Sequence, residues 1–350
     1  MSTRATGRDL LGPALIFFGA LLLAAALAVG PVLGGQARKL PLSTDQSWTA
    51  DGADGTQLLD RCSLDRDRAA VTTGTVHQDR RILTVQPSDG STITLQAGTA
   101  LRVDKPQCEE ETLNATLDRV TLDRRTALPG GESEIQYDDK RAAIPVTDRH
   151  GYTYVLPYGF DRSGASYFDP ATRQSVLMKA EGTETMGGRD VVRFSADVPD
   201  ADLHAVQQDP YAVIQKPASW FGDFPGVDPA EQLTATLHRH SHHEFFVDEV
   251  SGVLVAEQSD ITEEYRFAPD VAARSPELAA FALTNLKTTL DTDQETIREA
   301  SEAASSRAWP VSMWTRIAPI VGGVVGLILL VLGVAALRRS STRASGPNAP

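Results

Sequence analysis

Two long apolar segments bracket this chain and constrain its fold more than any other feature. The first runs from Leu10 to Leu33 and the second from Ile317 to Leu337, and neither contains a charged residue. A helix of about 20 apolar residues crosses the roughly 30 Å hydrocarbon core of a bilayer. The sequence therefore predicts two transmembrane helices, 10–33 and 317–337, with a large polar region between them on one side of the membrane.

The first segment has one competing interpretation, a signal peptide that is cleaved. Its apolar run is about twice the usual 7–15 residues of a signal-peptide core, and Pro31 with Gly34 and Gly35 forms no clear cleavage site. We therefore favour an uncleaved anchor. Two spans place both termini on the same side of the membrane. Arg338 and Arg339 directly follow the second span, which favours a cytoplasmic side for residues 1–9 and 338–350, although Arg38 and Lys39 oppose this orientation.

The two cysteines of the chain bear on the compartment of the polar region. Cys62 and Cys108 both lie between the apolar segments. In an oxidising compartment they would form a disulfide that closes a loop of about 45 residues, worth ~3–4 kcal/mol. Two unrelated buried thiols are the alternative. The two cysteines favour an extracytoplasmic position for the polar region. The two predicted spans would anchor it in the plasma membrane.

Charge and motifs exclude several functional classes. The formal net charge is −13 and the sequence pI is about 5.0, so the basic surface of a nucleic-acid-binding protein is missing. The sequence has no nucleophile elbow, Walker loop, dinucleotide-binding glycine motif or HExxH zinc motif. We therefore expect neither an enzyme nor a cofactor.

The polar region divides by composition into three parts. Residues 34–69 are rich in Gly, Ser, Thr and Asp and are predicted to be a linker. Residues 70–274 contain short β-rich runs separated by turn residues, with hairpin turns predicted at Ser88–Ser91 and Ser251–Gly252. No βαβ spacing indicates a parallel sheet. The predicted fold class is mainly β (α+β), with a large antiparallel sheet.

Residues 275–309 show a helical pattern instead. Ser275-Pro276-Glu277 is typical of a helix start. Apolar residues then recur at alternating steps of four and three through Leu283, Leu286 and Leu290. The sequence predicts one long amphipathic helix that packs on the sheet or forms a stalk leading to the second span.

Three sets of residues are candidate binding sites. His238 and His240 would share one face of a strand and are weak candidates for a metal site, with a pH-sensitive surface charge or an ordinary exposed hairpin as the alternatives. Aromatic residues in two segments are candidates for a lipid-binding groove, with core packing as the alternative. Gly322 and Gly326 form a GxxxG spacing in the second span that could seat a partner membrane helix. The aromatic groove candidates are Tyr152, Tyr154, Tyr158, Trp220, Phe221 and Phe224.

Five segments together resemble the actinobacterial PorA family, envelope proteins built around a domain of unknown function. They are 122–124, 151–158, 167–169, 187–194 with Val198-Pro199, and 246–252. The resemblance implies an N-terminal span, an outer domain and a second span near the C-terminus, with the domain facing the cell wall. It transfers no catalytic residues. Two single helices do not line a pore unless the protein oligomerises.

These inferences converge on a membrane-anchored protein of the cell envelope. We expect the outer β-rich domain to bind a lipid or a lipoglycan intermediate and to support envelope assembly, with membrane lipids as further partners. The alternatives are an interaction scaffold for envelope enzymes and a porin-like channel component.

Overall fold

The computed structural model describes residues 10–108, 110–137, 140–208 and 210–344, which form two units. The helical unit comprises the described residues up to Lys39 and those from Ser306 onward, and the sheet domain comprises Leu40–Ser305. The predicted tail 1–9 and the residues 345–350 of the predicted tail 338–350 lie outside the described residues. The helices are α1 (Leu11–Val29), α2 (Gly35–Ala37), α3 (Leu203–Gln207), α4 (Ala218–Phe221), α5 (Pro269–Ala272), α6 (Pro276–Ala279), α7 (Gln294–Ser312) and α8 (Ala318–Ala344).

Among the described residues, two helical segments are long and apolar enough to cross a membrane. They are Leu11–Ala37, with mean hydropathy 2.5, and Gln294–Arg339, with mean hydropathy 2.8 over its most apolar window. Large apolar side chains on both helices are exposed, among them Phe17 at 64% and Val331 at 61%. Exposed apolar surface of this extent on a helix is stable in lipid and costly in water, so these faces are suited to contact with acyl chains.

Within the helical unit, α1 and α8 pack closely through glycines. A Cβ atom on Gly19 would lie 2.8 Å from the carbonyl oxygen of Gly326, and one on Gly333 would lie 3.0 Å from that of Gly12. Small residues at such positions let helix backbones approach each other in a membrane. Gly322 also lies against α1, where its Cβ would be 3.3 Å from that of Ala26. The helix that Gly322 and Gly326 seat is therefore the first span of the same chain.

The sheet domain is built around one large antiparallel sheet with a separate two-stranded ribbon. Its strand order is β11-β12-β14-β15-β16-β1-β4-β5-β6-β7-β8, with β13 beside β14, β2 beside β16 and β3, and β9 paired with β10. The strands are β1 (Asp45–Gly52), β2 (Gln57–Leu59), β3 (Val71–Thr73), β4 (Val76–Val85), β5 (Thr92–Gln107), β6 (Glu110–Asp123), β7 (Pro129–Gln136), β8 (Ile144–Pro145), β9 (Ser166–Asp169), β10 (Gln174–Leu177), β11 (Lys179–Met186), β12 (Arg189–Asp202), β13 (Val213–Pro217), β14 (Gln232–Asp248), β15 (Leu254–Phe267) and β16 (Leu283–Thr292). This architecture confirms the predicted fold class.

Both predicted hairpin turns are present. Between β4 and β5, the Asp89 carboxylate accepts hydrogen bonds from the backbone N–H groups of Ser91 and Thr92, which lower its pKa well below the usual range. Between β14 and β15, Gly252 has a φ of 69°, and a Cβ there would lie 2.2 Å from the carbonyl oxygen of Leu156. Only glycine fits this position without displacing backbone.

Two predicted boundaries are wrong. The predicted linker 34–69 contains β1 and β2, and β1 is paired on both sides, with β16 and with β4. The predicted helix 275–309 begins with the single turn of α6 and then contains β16 before α7 starts at Gln294. In β16 the backbone pairs with β15, so Leu283, Leu286 and Leu290 are buried as strand residues.

Replacing Gly326 with alanine should loosen the α1–α8 packing, because the added Cβ would lie 2.9 Å from the backbone oxygen of Gly19. We expect this overpacking to lower the free energy of unfolding by about 1–3 kcal/mol. Gly323→Ala is the matched control, since a Cβ there meets nothing within 4 Å. Thermal unfolding of the full chain in detergent measures the difference. Equal midpoints for the two variants would contradict the packing described.

Candidate functional site

The inner faces of β14 and β15 carry polar residues between apolar ends. Along β14, alternate residues face the interior, and between Leu237 and Phe245 these are Arg239, Ser241 and His243. Successive side chains of a strand point to opposite faces, so the three polar side chains share one face and enter the interior together. The neighbouring β15 places Glu257, Ser259 and Glu263 on the same face.

Cross-strand register joins these residues into ion pairs. Arg239 lies opposite Glu263, and its Nη1 donates to Oε1 of that carboxylate at 2.6 Å. Burial opposes the charge on Arg239, but Glu263 raises the pKa of the guanidinium above its ordinary value. Arg239 is therefore charged in the interior, where a charge-assisted hydrogen bond is strong.

A second buried network connects β4, β14 and β15. Arg80 Nη2 lies 3.1 Å from Glu257 Oε2, and His243 Nδ1 lies 3.2 Å from Glu257 Oε1. Burial raises the pKa of Glu257, but Arg80 and His243 outweigh it and lower the pKa to about 2. Ser241 Oγ lies 2.9 Å from His243 Nε2. This order of serine, histidine and carboxylate is found in hydrolases, but Ser241 and His243 are 4% and 3% exposed, so we interpret the network as structural.

A cavity of about 600 Å³ lies against the ion pair of Arg239 and Glu263. Its volume falls in the ~300–1,000 Å³ range of small-molecule sites. Its lining combines apolar side chains with polar and charged ones, the ion pair among them. The apolar lining residues include Leu59, Leu101, Leu237, Ile261, Leu286 and Leu290. A cavity with this mixed lining is suited to an amphipathic molecule.

Two β-bulges supply side chains to this cavity. Asn285 has no residue opposite it in the register with β15, because the pairing passes from Glu264–Thr284 directly to Glu263–Leu286. Leu113 is the extra residue of β6 opposite β5, and both Asn285 and Leu113 line the cavity. A bulge turns one side chain away from the regular alternation and often does so at a functional site. The bulges thus shape the wall of the candidate site.

The aromatic candidates lie elsewhere in the domain. Trp220 and Phe221 are buried in an aromatic core cluster, and Phe224 packs against it. Tyr154 is buried and donates a 2.5 Å hydrogen bond to Asp118, whereas Tyr152 packs against two core clusters and Tyr158 is half-buried. Within the described residues none of the six lines the cavity.

The structure separates the two histidine candidates from the interior. His238 and His240 are on the face of β14 opposite Arg239, and His238 Nδ1 lies 2.9 Å from an Asp200 carboxylate oxygen. Among the described residues, no cluster of three or more His, Cys, Asp or Glu side chains is placed to hold a metal ion. Cys62 and Cys108 form a disulfide with Cα atoms 5.4 Å apart.

One pattern in the sequence could have predicted part of this site. Arg239, Ser241 and His243 alternate in phase with the apolar residues of β14, which marks them as facing the interior. The contribution of Asn285 was hidden because its segment was predicted to be helical.

Glu257→Gln should destabilise the protein by about 3 kcal/mol, because it leaves the buried Arg80 charge unpaired. Glu257 has a lowered pKa, so its stabilising contribution is present above the unfolded pKa of about 4.3. That contribution disappears as pH falls toward about 2. Denaturant unfolding of the full chain in detergent across pH 2–7 measures both effects. The variant should lose this acid-dependent component, whereas Glu134→Gln, which removes an exposed pair with Arg119, should retain it.

Comparisons with known proteins relate the chain to one family. A Porin PorA of Corynebacterium amycolatum is 24% identical over 92% of this chain and 97% of its own length. A Porin PorA of Corynebacterium resistens is 33% identical over 34% of this chain and 31% of its own length. The crystal structure of a DUF1329 family protein from Desulfovibrio piger covers 80% of this chain and 91% of its own chain, with 9% identity. Its TM-score of 0.21 supports no argument.

The family assignment rests on a match along nearly the whole chain. The family model described as Porin PorA matches residues 11–335, which include the first candidate span, the sheet domain and most of the second candidate span. The resemblance inferred from the sequence is thereby confirmed. With the two candidate spans, it supports a membrane protein with a porin-like or envelope role. The chain belongs to the PorA family.

Proposed function

We propose that the sheet domain binds a lipid or a lipoglycan intermediate of the cell envelope and thereby supports envelope assembly. The cavity lined by apolar side chains and by the ion pair of Arg239 and Glu263 is the observation that carries this proposal. Acyl chains would lie against the apolar lining residues, where burial of apolar surface stabilises binding by about 25 cal/mol per Å². The polar part would lie against the charged pair.

The membrane anchors favour a ligand of this class. A domain joined covalently to two candidate spans stays near a bilayer, where envelope lipids are concentrated. We propose that the domain is extracytoplasmic, with both termini in the cytoplasm and the spans in the plasma membrane. The disulfide between Cys62 and Cys108 supports this orientation, because disulfides persist in oxidising compartments. Arg338 and Arg339 support it by the positive-inside rule.

We propose a binding role for this cavity and no enzymatic activity. The hydroxyl of Ser241 and the imidazole of His243 are almost fully buried, so they offer no nucleophile or base to a substrate in solution. The chain also lacks the sequence motifs of the common catalytic sites.

Two alternative functions each have one supporting observation. Relatives described as Porin PorA favour a channel component. Two spans per chain would require oligomers to enclose a pore. The scaffold alternative is favoured by β11, an edge strand of the sheet that is exposed along nearly its whole length. Such an edge can pair with a strand of a partner protein. Stable oligomers with conductance in planar bilayers would favour the channel over the binding protein.

Native mass spectrometry of the full chain, purified in detergent from its host, tests the proposed function. We expect a lipid or lipoglycan bound at one molecule per chain, identified by extraction. Ile261→Trp should remove it, because Ile261 lines the cavity and is only 5% exposed. Leu128→Trp is the control, since Leu128 is exposed and lies outside the cavity. A clean apo mass of the wild-type chain would refute the proposal. Bound lipid in a folded Ile261→Trp variant would place the ligand elsewhere.

A further inference from the structure

Two residues that line the cavity each have a buried polar atom without a hydrogen-bond partner within the described residues. The atoms are Nε of Arg239, a donor, and Oδ1 of Asn285, an acceptor. A buried polar atom left unpaired costs about 1–3 kcal/mol, and native proteins satisfy nearly all such atoms with protein, water or ligand. The described residues therefore leave one donor and one acceptor here that water or a ligand would have to satisfy.

The two atoms belong to one cluster, because the carboxylate of Glu263 holds both residues. It accepts from Arg239 Nη1 at 2.6 Å through Oε1 and from Asn285 Nδ2 at 2.8 Å through Oε2. The second contact assigns the amide orientation of Asn285, since its nitrogen must face the carboxylate. The amide oxygen is thus the end that remains for another molecule.

The charge balance of the cluster disfavours an anion. Glu263 is 2.6 Å from the guanidinium and offsets its charge, so a carboxylate or phosphate would meet a neighbouring negative charge. An anion also has no hydrogen to donate to Asn285 Oδ1 unless it is protonated. A hydroxyl group both donates and accepts, and it carries no charge.

We propose that Arg239 and Asn285 recognise an uncharged, hydroxyl-bearing group of the bound molecule. The hydroxyl accepts a hydrogen bond from Arg239 Nε and donates one to Asn285 Oδ1, or two neighbouring hydroxyls divide these roles. The apolar part lies against Leu237, Ile261 and Leu286. The ligand class is a neutral hydroxylated amphiphile, an acylglycerol or a glycolipid, and not a fatty-acid anion or a phosphate monoester. This inference rests on the proposed function of the cavity.

A set of matched lipids tests this specificity on the full chain in detergent. The probes are 1-palmitoylglycerol, its 2,3-dimethyl ether, and palmitate, each titrated and followed by native mass spectrometry. We expect the diol to bind about tenfold more tightly than the ether, since the ether cannot donate to Asn285 and one lost hydrogen bond at a buried partner has about this effect. Palmitate at pH 8 should bind more weakly than the diol.

Matched asparagine variants assign the effect to this cluster. Asn285→Met should bring the diol and the ether to equal affinity while both still bind. Asn114→Met is the control, because Asn114 also lines the cavity but is exposed, and it should keep the preference for the diol. The comparison of the three lipids on the wild-type chain remains decisive if Asn285→Met fails to fold.

The possible outcomes test the hydroxyl specificity and the proposed lipid-binding function separately. Equal binding of the diol and the ether, or tighter binding of palmitate, would overturn the hydroxyl specificity and leave a lipid-binding cavity. An unchanged diol preference in Asn285→Met would place the recognition at other residues and overturn the proposal. Binding of none of the three lipids would instead count against the proposed function itself.

Discussion

The pairing of buried charges on β14 and β15 is the constraint on which the rest of the sheet domain depends. Arg239 with Glu263 and Arg80 with Glu257 form two ion pairs in the interior. Transfer of an ion from water to a protein interior costs several kcal/mol, which only close pairing offsets. The register of β4, β14, β15 and β16 must therefore be held, because a slip of one residue would move every charge to the other face.

The same pairs keep the centre of the domain from being a continuous apolar core. Apolar clusters lie at both ends of β14, around Leu233 and around Phe245, and the polar band separates them. The bulges at Leu113 and Asn285 interrupt the regular pleat beside this band. The cavity lies beside this band and is lined by Arg239, Glu263 and both bulge residues. In a PorA-family chain with two candidate spans, such a site supports the binding of envelope lipids that we propose.

β16 shows why part of the fold escaped sequence-based prediction. Leu283, Leu286 and Leu290 recur at steps of three and four, as on one face of a helix. In the structure Asn285 is an extra residue in the strand, so Leu283 and Leu286 face the same side although they are three residues apart. β1 escaped for another reason: its sequence, Asp45–Gly52, is rich in polar residues, and its place in the sheet comes from the strands on both sides. The lipid-groove candidates rest on the density of aromatic residues in the sequence. In the structure, that density marks the core around Trp220 and Phe221.

By itself, the sequence determined the two candidate spans, the mainly β class, the hairpin turns at Asp89 and Gly252 and the family. Each depends on local properties, namely the length of an apolar run, turn chemistry and the order of short segments. Only the tertiary structure decided which charges pair, where the cavity lies and which side chains enter it. Arg80 and Glu257 are 177 residues apart along the chain. The register between distant strands and the position of a bulge follow from packing of the whole sheet.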